Sequence, residues 1–218
     1  MTDRTMKDQP ERARHLKLRP HLVPEPLWGL SAYRLLKQSQ WQRIRRDALA
    51  AAASACGVCG AVRDKGMVCD EEWVYEGDVA RLIGTRIICP DCNGVTHIGM
   101  AGLAGYGDVA LEHMARVNGI TVREAQRLVA LDAEEWHQRS RGVWTVAVAS
   151  DLLARYPFLS VLVGLTSAPG TVNTRFREPG SRLTGLASEA TEFGDGSTGT
   201  IEDIEHGWYL RELAQRDD

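Results

Sequence analysis

The sequence predicts an α+β protein in which a ββα unit is extended by additional packed helices. Three observations support this fold class. Two Cys-x-x-Cys pairs enclose two segments with the alternating apolar pattern of strands, a helical segment precedes the first pair, and two periodic helical segments follow the second. With 218 residues, 44% of them hydrophobic and 25% charged, the chain is long enough to bury a core of its own.

The two cysteine pairs are the strongest signal in the chain. Cys56 and Cys59 stand in "CGVCG", Cys89 and Cys92 stand in "CPDC", and 29 residues separate the pairs. Each Cys-x-x-Cys turn brings two sulfurs together, so two turns supply the four thiolates that structural zinc prefers. We therefore predict one Zn²⁺ bound by these four cysteines, with four unrelated buried thiols or a redox pair as the alternatives. Cys69 is left over and is predicted to be a small buried apolar residue.

The elements next to the cysteine pairs follow from periodicity. A helix is predicted to begin with Ser39 as its N-cap, because apolar residues then recur at helical spacing up to residue 55. The remaining elements of the ββα unit are strands near 67–75 and 85–89, a connecting helical turn over 78–83, and a helix over 92–104.

The second half of the chain is predicted to be mostly helical. One helix stops at an Asn-Gly pair, and the next begins with a capping box in which Thr121 is followed by Glu124. His113 and His137 lie on these helices and are interpreted as ordinary surface or interface histidines. The predicted elements are helices over 107–119 and 121–140, a strand beginning at 143, and a buried strand or helix segment over 156–165.

Composition and charge divide the chain into four parts. Residues 1–60 hold eleven Lys/Arg and five Asp/Glu, whereas residues 171–218 hold five Lys/Arg and ten Asp/Glu. A basic front section suits a polyanion such as nucleic acid, and a solvated arm is the alternative. The predicted parts are a basic N-terminal arm (1–38), the zinc-binding ββα unit (39–104), a helical extension with a strand (105–168), and a flexible acidic tail with a candidate terminal helix at 201–213 (169–218).

The sequence carries no signal for a membrane or for export. Its best apolar stretch, residues 156–165, is about half of the roughly 18 residues needed to cross a bilayer. The N-terminal residues are polar and lack the apolar core of a signal peptide. We therefore expect a cytoplasmic protein with no membrane partner, in which the thiols are reduced or metal-bound.

Three runs around the cysteine pairs resemble a known family. They are "SQWQRIRRDALAAAASACGVCG", "VCDEEWVYE" and "ICPDCNGVTHIGMAGL", and the similarity continues through "LEHMARVNGITVREAQRLV" and "WHQRSRGVWTV". The pattern, which covers residues 20–148, resembles the zinc-containing branch of the HNH endonucleases. The resemblance implies a treble-clef ββα fold in which zinc is structural and a second divalent ion serves phosphodiester hydrolysis.

The resemblance also implies which residues form the site. The family usually has a His general base at the end of the first strand, a His directly after the fourth Cys, and another His four residues later. Asp70, Asn93 and His97 occupy these positions, so that only His97 matches, and Gly84 stands where the family often has Asn. Asp70, Asn93 and His97 are the predicted catalytic residues and together would hold Mg²⁺ or Mn²⁺. The alternatives are a strand-end carboxylate that caps a turn and a helix histidine packed near the zinc.

Two functions are open from the sequence. The first is an atypical HNH-like, metal-dependent endonuclease that hydrolyses DNA. Loss of the imidazole base lowers the rate of such an enzyme by about 10²–10⁴-fold. The second is a catalytically inactive, zinc-stabilised module that binds nucleic acid or protein. DNA is the expected partner, through phosphate contacts from basic side chains. These side chains are Arg43, Arg45, Arg46, Arg63 and Lys65.

Overall fold

The fold is defined by a computed structural model that describes residues 16–171, together with 191–192 and 198–199. These residues form an α+β structure with one four-stranded sheet and seven α-helices, which confirms the predicted fold class at this level. Residues 1–15 and the candidate helix 201–213 lie outside the described residues. Within the predicted acidic tail, the structure describes a short antiparallel ladder of β5 (Thr191–Glu192) and β6 (Thr198–Gly199).

The helices surround the sheet and the cysteine pairs. The helices predicted over 107–119 and 121–140 are confirmed: Gly119 ends the first with a φ of 66°, and Thr121 N–H donates to the Glu124 carboxylate at 2.8 Å to begin the second. The full set is α1 (Ala32–Leu35), α2 (Gln38–Ala52), α3 (Pro90–Thr96), α4 (Ile98–Leu103), α5 (Gly107–Asn118), α6 (Val122–Arg139) and α7 (Ser150–Arg155), with 3₁₀ helices at Glu25–Leu27 and Pro157–Leu162.

The antiparallel hairpin of β1 (Val68–Glu76) and β2 (Val79–Ile88) includes both predicted strands. The helical turn predicted over 78–83 is wrong, because β2 already begins at Val79 and a tight turn at Gly77, with a φ of 58°, joins the strands. Ala80 and Leu82 are 0% and 1% exposed, so the side chains alternate with the period of a strand.

The sheet is completed by β3 (Trp144–Val148) and β4 (Thr166–Ser167), in the order β1-β2-β3-β4. The strand predicted to begin at 143 is therefore confirmed as β3. It runs parallel to β2, whereas β4 is antiparallel to β3. A parallel neighbour requires a long crossover connection. Here the crossover consists of α3 to α6. Along the chain, these helices and the second cysteine pair therefore come after β2 and before β3, which are neighbours in the sheet.

Two helix boundaries differ from the sequence prediction. The N-cap of α2 is Lys37, whose N–H donates to the Gln40 side chain at 3.0 Å, and Ser39 lies inside the helix. The helix predicted over 92–104 is divided into α3 and α4 at His97, which has a φ of −110° and a ψ of 51°. The Thr96 carbonyl, which a continuous helix would pair with an amide four residues later, accepts the His21 N–H at 2.9 Å instead.

Apolar residues form two clusters that share β2. The metal-end core surrounds the cysteine pairs and includes Ile88 from the end of β2. The sheet-end core lies between the sheet, α2 and the 3₁₀ helix after α7, and includes Leu82. The segment before α2 contributes to both, with Leu18 in the metal-end core and Leu27 and Leu30 in the sheet-end core. This part of the chain therefore packs against the rest of the fold.

Candidate functional site

The four paired cysteines converge at the end of the β1–β2 hairpin. Cys56 and Cys59 lie on the loop after α2, Cys89 directly follows β2, and Cys92 lies in the first turn of α3. All four Sγ atoms lie within 4.8 Å of one another, and those of Cys59 and Cys89 are 3.7 Å apart. Tetrahedral coordination with Zn–S bonds of about 2.3 Å gives sulfur–sulfur distances of about 3.8 Å. Among the described residues, no other group of three His, Cys, Asp or Glu side chains has metal-binding spacing.

Backbone amides hold the two cysteine turns against each other. Cys89 N–H lies 3.3 Å from Cys56 Sγ, and Cys92 N–H lies 3.4 Å from Cys89 Sγ. Gly57 N–H donates to the Ile87 carbonyl at 2.8 Å, which ties the first turn to the end of β2. Hydrogen bonds donated to sulfur favour its ionised form, so these amides favour the thiolate of Cys56 and offset part of the effect of burial at Cys89.

The thiols differ in how easily they lose a proton. Burial opposes ionisation of Cys56, but the amides of Cys59 and Cys89 outweigh it and lower the pKa of Cys56 to about 7. Burial raises the pKa of Cys89, and burial together with the neighbouring sulfurs raises the pKa of Cys92 well above its usual range. A coordinated metal deprotonates a thiol outright. A donor set of four clustered sulfurs therefore fits a divalent ion.

Two residues near the metal centre, Cys69 and His113, can be compared with the roles predicted for them. Cys69, on β1, is partly buried against both cores, and burial raises the pKa of its thiol to about 11, as expected of an apolar neighbour. His113 is 8% exposed, and its Nε2 lies 3.2 Å from Cys92 Sγ. Interpreting His113 as an ordinary surface or interface histidine missed this contact, because nothing in the sequence relates it to a residue 21 positions earlier.

Two of the three predicted catalytic residues meet at β1. Asp70 is 6% exposed, and its Oδ1 lies 3.8 Å from His97 Nε2. Arg86, the cross-strand neighbour of Asp70, places its Nη2 3.3 Å from Asp70 Oδ2. We call Asp70, Arg86 and His97 the Asp70 cluster. Burial raises the pKa of Asp70, and the positive charges of His97 and Arg86 oppose this rise.

Asn93, the third predicted catalytic residue, lies one helical turn before His97. His97 N–H donates to the Asn93 main-chain carbonyl at 2.9 Å. The Asn93 side-chain oxygen, Oδ1, is buried and has no hydrogen-bond partner. A buried amide oxygen without a partner is costly, and the same atom type is a common ligand of hard cations. The structure thus joins Asp70 to His97 directly and places Asn93 on the helix that ends at His97.

Three residues that the sequence did not identify form a second group, of which His21 lies near enough to His97 and Arg86 for their charges to affect its pKa. His21 comes from the segment before α1, and its Nε2 lies 3.1 Å from the Tyr75 hydroxyl oxygen. Arg139, the last residue of α6, holds its guanidinium carbon 4.9 Å from the centre of the Tyr75 ring. Tyr75 belongs to the alternating pattern of β1, but no sequence signal relates it to His21, which is 54 positions away.

His21 is held in its neutral form by its surroundings. Burial, followed by the positive charges of His97, Arg86 and Arg139, lowers the pKa of His21 to about 4. Burial raises the pKa of Tyr75, so its hydroxyl keeps its proton. The region therefore combines the guanidinium groups of Arg86 and Arg139 with an uncharged imidazole and two carboxylates, those of Asp70 and Glu72, which lie 3.3 Å and 3.9 Å from Arg86.

The basic residues predicted to contact DNA have different environments. Arg45 is half-buried, and its Nη2 lies 3.5 Å from the Met67 carbonyl. Arg63 forms an ion pair with Asp91 in which Nη2 and Oδ2 are 2.6 Å apart. Like Arg63, the other three are exposed: Arg43, Arg46 and Lys65.

Comparison of the chain with family models, with curated proteins and with solved structures gives no match. In the part of the chain that the structure describes, no helix combines the length and the apolar composition needed to cross a membrane. The fold and the site define a class: an α+β chain with a four-stranded sheet and a four-cysteine cluster compatible with a structural metal site.

Proposed function

We propose that this protein is an atypical HNH-like, metal-dependent endonuclease that acts on DNA, with one structural Zn²⁺ on its four-cysteine cluster. The observation that carries the proposal is the 3.8 Å contact between Asp70 Oδ1 and His97 Nε2. It joins β1 to the helix that follows the second cysteine pair, and these are the elements that carry the catalytic groups in the ββα sites that the sequence resembles.

The residues that would hold a catalytic Mg²⁺ or Mn²⁺ are Asp70, Asn93 and His97. A carboxylate, an amide oxygen and an imidazole suit these ions. The buried Asn93 Oδ1 supports this assignment, because this oxygen has no hydrogen-bond partner within the protein. When bound, such an ion neutralises charge on the scissile phosphate and lowers the pKa of a bound water.

Side chains around the Asp70 cluster supply the remaining requirements. The Arg86 side chain is 31% exposed, so it reaches solvent while it contacts Asp70, and a guanidinium binds phosphate oxygens in a bidentate manner. His21 supplies the imidazole that is missing at position 70. Its Nε2 lies 3.1 Å from the Tyr75 hydroxyl oxygen, and the neutral ring is the candidate general base for an attacking water.

A catalytically inactive, zinc-stabilised nucleic-acid-binding module is the second candidate. It is favoured by Arg86, whose Nη2 lies 3.3 Å from Asp70 Oδ2, since a cation at that distance opposes the approach of a metal ion. In this candidate the Asp70 cluster is structural. The exposed side chains Arg43, Arg46 and Lys65 then provide the phosphate contacts.

Cleavage of supercoiled plasmid by the zinc-replete full-length protein, with Mg²⁺ or Mn²⁺, tests the endonuclease. We expect wild type to nick the plasmid and His97→Ala to lose this activity at unchanged zinc content. His21→Gln should retain binding and cleave about 10²-fold more slowly. His137→Ala, which changes a histidine on α6 outside the Asp70 cluster, is the matched control and should cleave like wild type.

Wild type that cleaves with neither ion contradicts the endonuclease. A gel-shift titration at increasing salt then tests the binding module on the same samples. Affinity that falls steeply with salt and is weakened by Arg46→Gln supports a phosphate-binding surface on α2. Absence of any shift at low salt contradicts the module as well.

A further inference from the structure

His113 contacts the metal centre from the side of α5. This helix packs against α3, which carries Cys92, and His113 lies between the two helices with 8% exposure. Its Nε2 is 3.2 Å from Cys92 Sγ. His113 is not a member of the group of four side chains whose ligand atoms share metal-binding spacing. The imidazole therefore contacts a ligand of the metal rather than the metal position.

Arg116 determines which ring nitrogen of His113 carries the proton. Arg116 follows His113 by one helical turn, and its Nη2 lies 3.3 Å from His113 Nδ1. A guanidinium has only N–H donors. Nδ1 must therefore accept this hydrogen bond, and the proton of the neutral ring resides on Nε2. The Nε2–H group then donates to Cys92 Sγ.

We propose that His113 is a positioning residue for the metal centre, which donates Nε2–H to Cys92 Sγ while Arg116 holds the required tautomer. Four thiolates and one divalent ion carry a net charge of about −2, which donors to sulfur help to disperse. Backbone amides donate to Cys56 and Cys89, whereas the donor to Cys92 is this side chain. The role does not depend on endonuclease activity.

Zinc affinity of the full-length protein, measured by competition with a chromogenic chelator, tests this role. His113→Leu keeps a similar volume without a donor, and we expect it to bind Zn²⁺ about 10- to 100-fold more weakly. His113→Gln retains an N–H donor and should recover most of the affinity. His137→Leu removes a histidine from α6, away from the cysteines, and should match wild type. Wild-type affinity in His113→Leu overturns the proposal.

Nuclear magnetic resonance on the wild-type chain tests the same contact without a variant, so it is decisive even if His113→Leu does not fold. The protein is loaded with ¹¹³Cd²⁺ and labelled with ¹⁵N. We expect imidazole correlations of the Nε2–H tautomer for His113, and a scalar coupling between Hε2 and ¹¹³Cd through the N–H···S bond. A proton on Nδ1, or an Hε2 resonance without coupling to the metal, overturns the proposal.

Discussion

The four-cysteine cluster and the Asp70 cluster adjoin the same hairpin but are assembled in different ways. Each cysteine pair spans four residues, so that a local turn already brings two of the four ligands together. The Asp70 cluster instead joins β1, β2 and the end of α3, and His21 is added from the segment before α1. A site made of local turns is visible in the sequence, whereas one made of distant segments depends on strand register and packing.

The two clusters also differ in their charge balance. The cysteine cluster has donors of one kind, and their ionised forms require an external cation. The Asp70 cluster contains charges of both signs, because the Arg86 guanidinium lies 3.3 Å from the buried Asp70 carboxylate, while burial lowers the pKa of His97. Removal of zinc should therefore destabilise mainly the four-cysteine cluster. Changes of pH and substitutions of single side chains should affect mainly the Asp70 cluster.

The largest effect is expected from Cys89→Ser. Apparent binding free energies of structural zinc are about 10–16 kcal/mol, so loss of one ligand should abolish stoichiometric metal binding and cooperative unfolding. Metal content by mass spectrometry under native conditions and urea unfolding by circular dichroism measure both. Cys69→Ser is the matched control and should keep the metal, since Cys69 lies outside the cluster. A metal-loaded Cys89→Ser protein would contradict the four-thiolate site.

His21→Phe should reduce the loss of stability in acid. The pKa of His21 is lowered from 6.5 to about 4 by burial and then by His97, Arg86 and Arg139, with Tyr75 as its hydrogen-bond partner. The unfolded chain therefore binds a proton at a pH where the folded chain does not. Stability falls as the pH drops from about 6.5 to about 4, by up to about 3 kcal/mol.

Urea unfolding of wild type and His21→Phe at pH 7 and pH 4.5 measures this contribution. The acid-induced decrease in unfolding free energy should be smaller in the variant, and His137→Phe should show the full wild-type decrease. Equal decreases in all three proteins would show that His21 titrates at its ordinary pKa in the folded chain.

Arg86→Met should destabilise the fold by about 2 kcal/mol, because it leaves the buried Asp70 carboxylate without its guanidinium partner. Adding Asp70→Asn should restore part of this loss, since a neutral amide needs no counter-charge. Urea unfolding at pH 7 measures the double-mutant cycle, and Arg81→Met on the same strand is the control. Strictly additive losses would mean that the Asp70–Arg86 pair has no coupling energy.

The smallest effect is expected from Arg63→Gln. Arg63 pairs with Asp91 near the cysteine cluster, but both side chains are 44% exposed. Exposed ion pairs typically contribute less than about 1 kcal/mol and are screened by salt. The change in unfolding free energy should be about 0.5 kcal/mol or less and should vanish at high salt. A larger loss that persists in salt would identify the pair as part of the metal centre.

The errors in the predicted elements have specific tertiary causes. The sequence predicts a helical turn over 78–83, but Ala80 and Leu82 lie in β2, where they pair with β1 on one side and with the distant strand β3 on the other. The sequence predicts a helix over 92–104 without a break. It divides at His97 because His21 N–H takes the Thr96 carbonyl, and no local pattern could show that hydrogen bond.

By itself the sequence determined the α+β class, the helices with strong caps such as the one at Thr121, and the four cysteines that converge. These features depend on residues close in the chain, whose geometry follows from periodicity and turn chemistry. Only the tertiary structure decided that Arg86 pairs with Asp70, that His21 adjoins them, and that His113 contacts Cys92. Those contacts join distant segments, and their geometry is set by strand register and by the packing of the two cores.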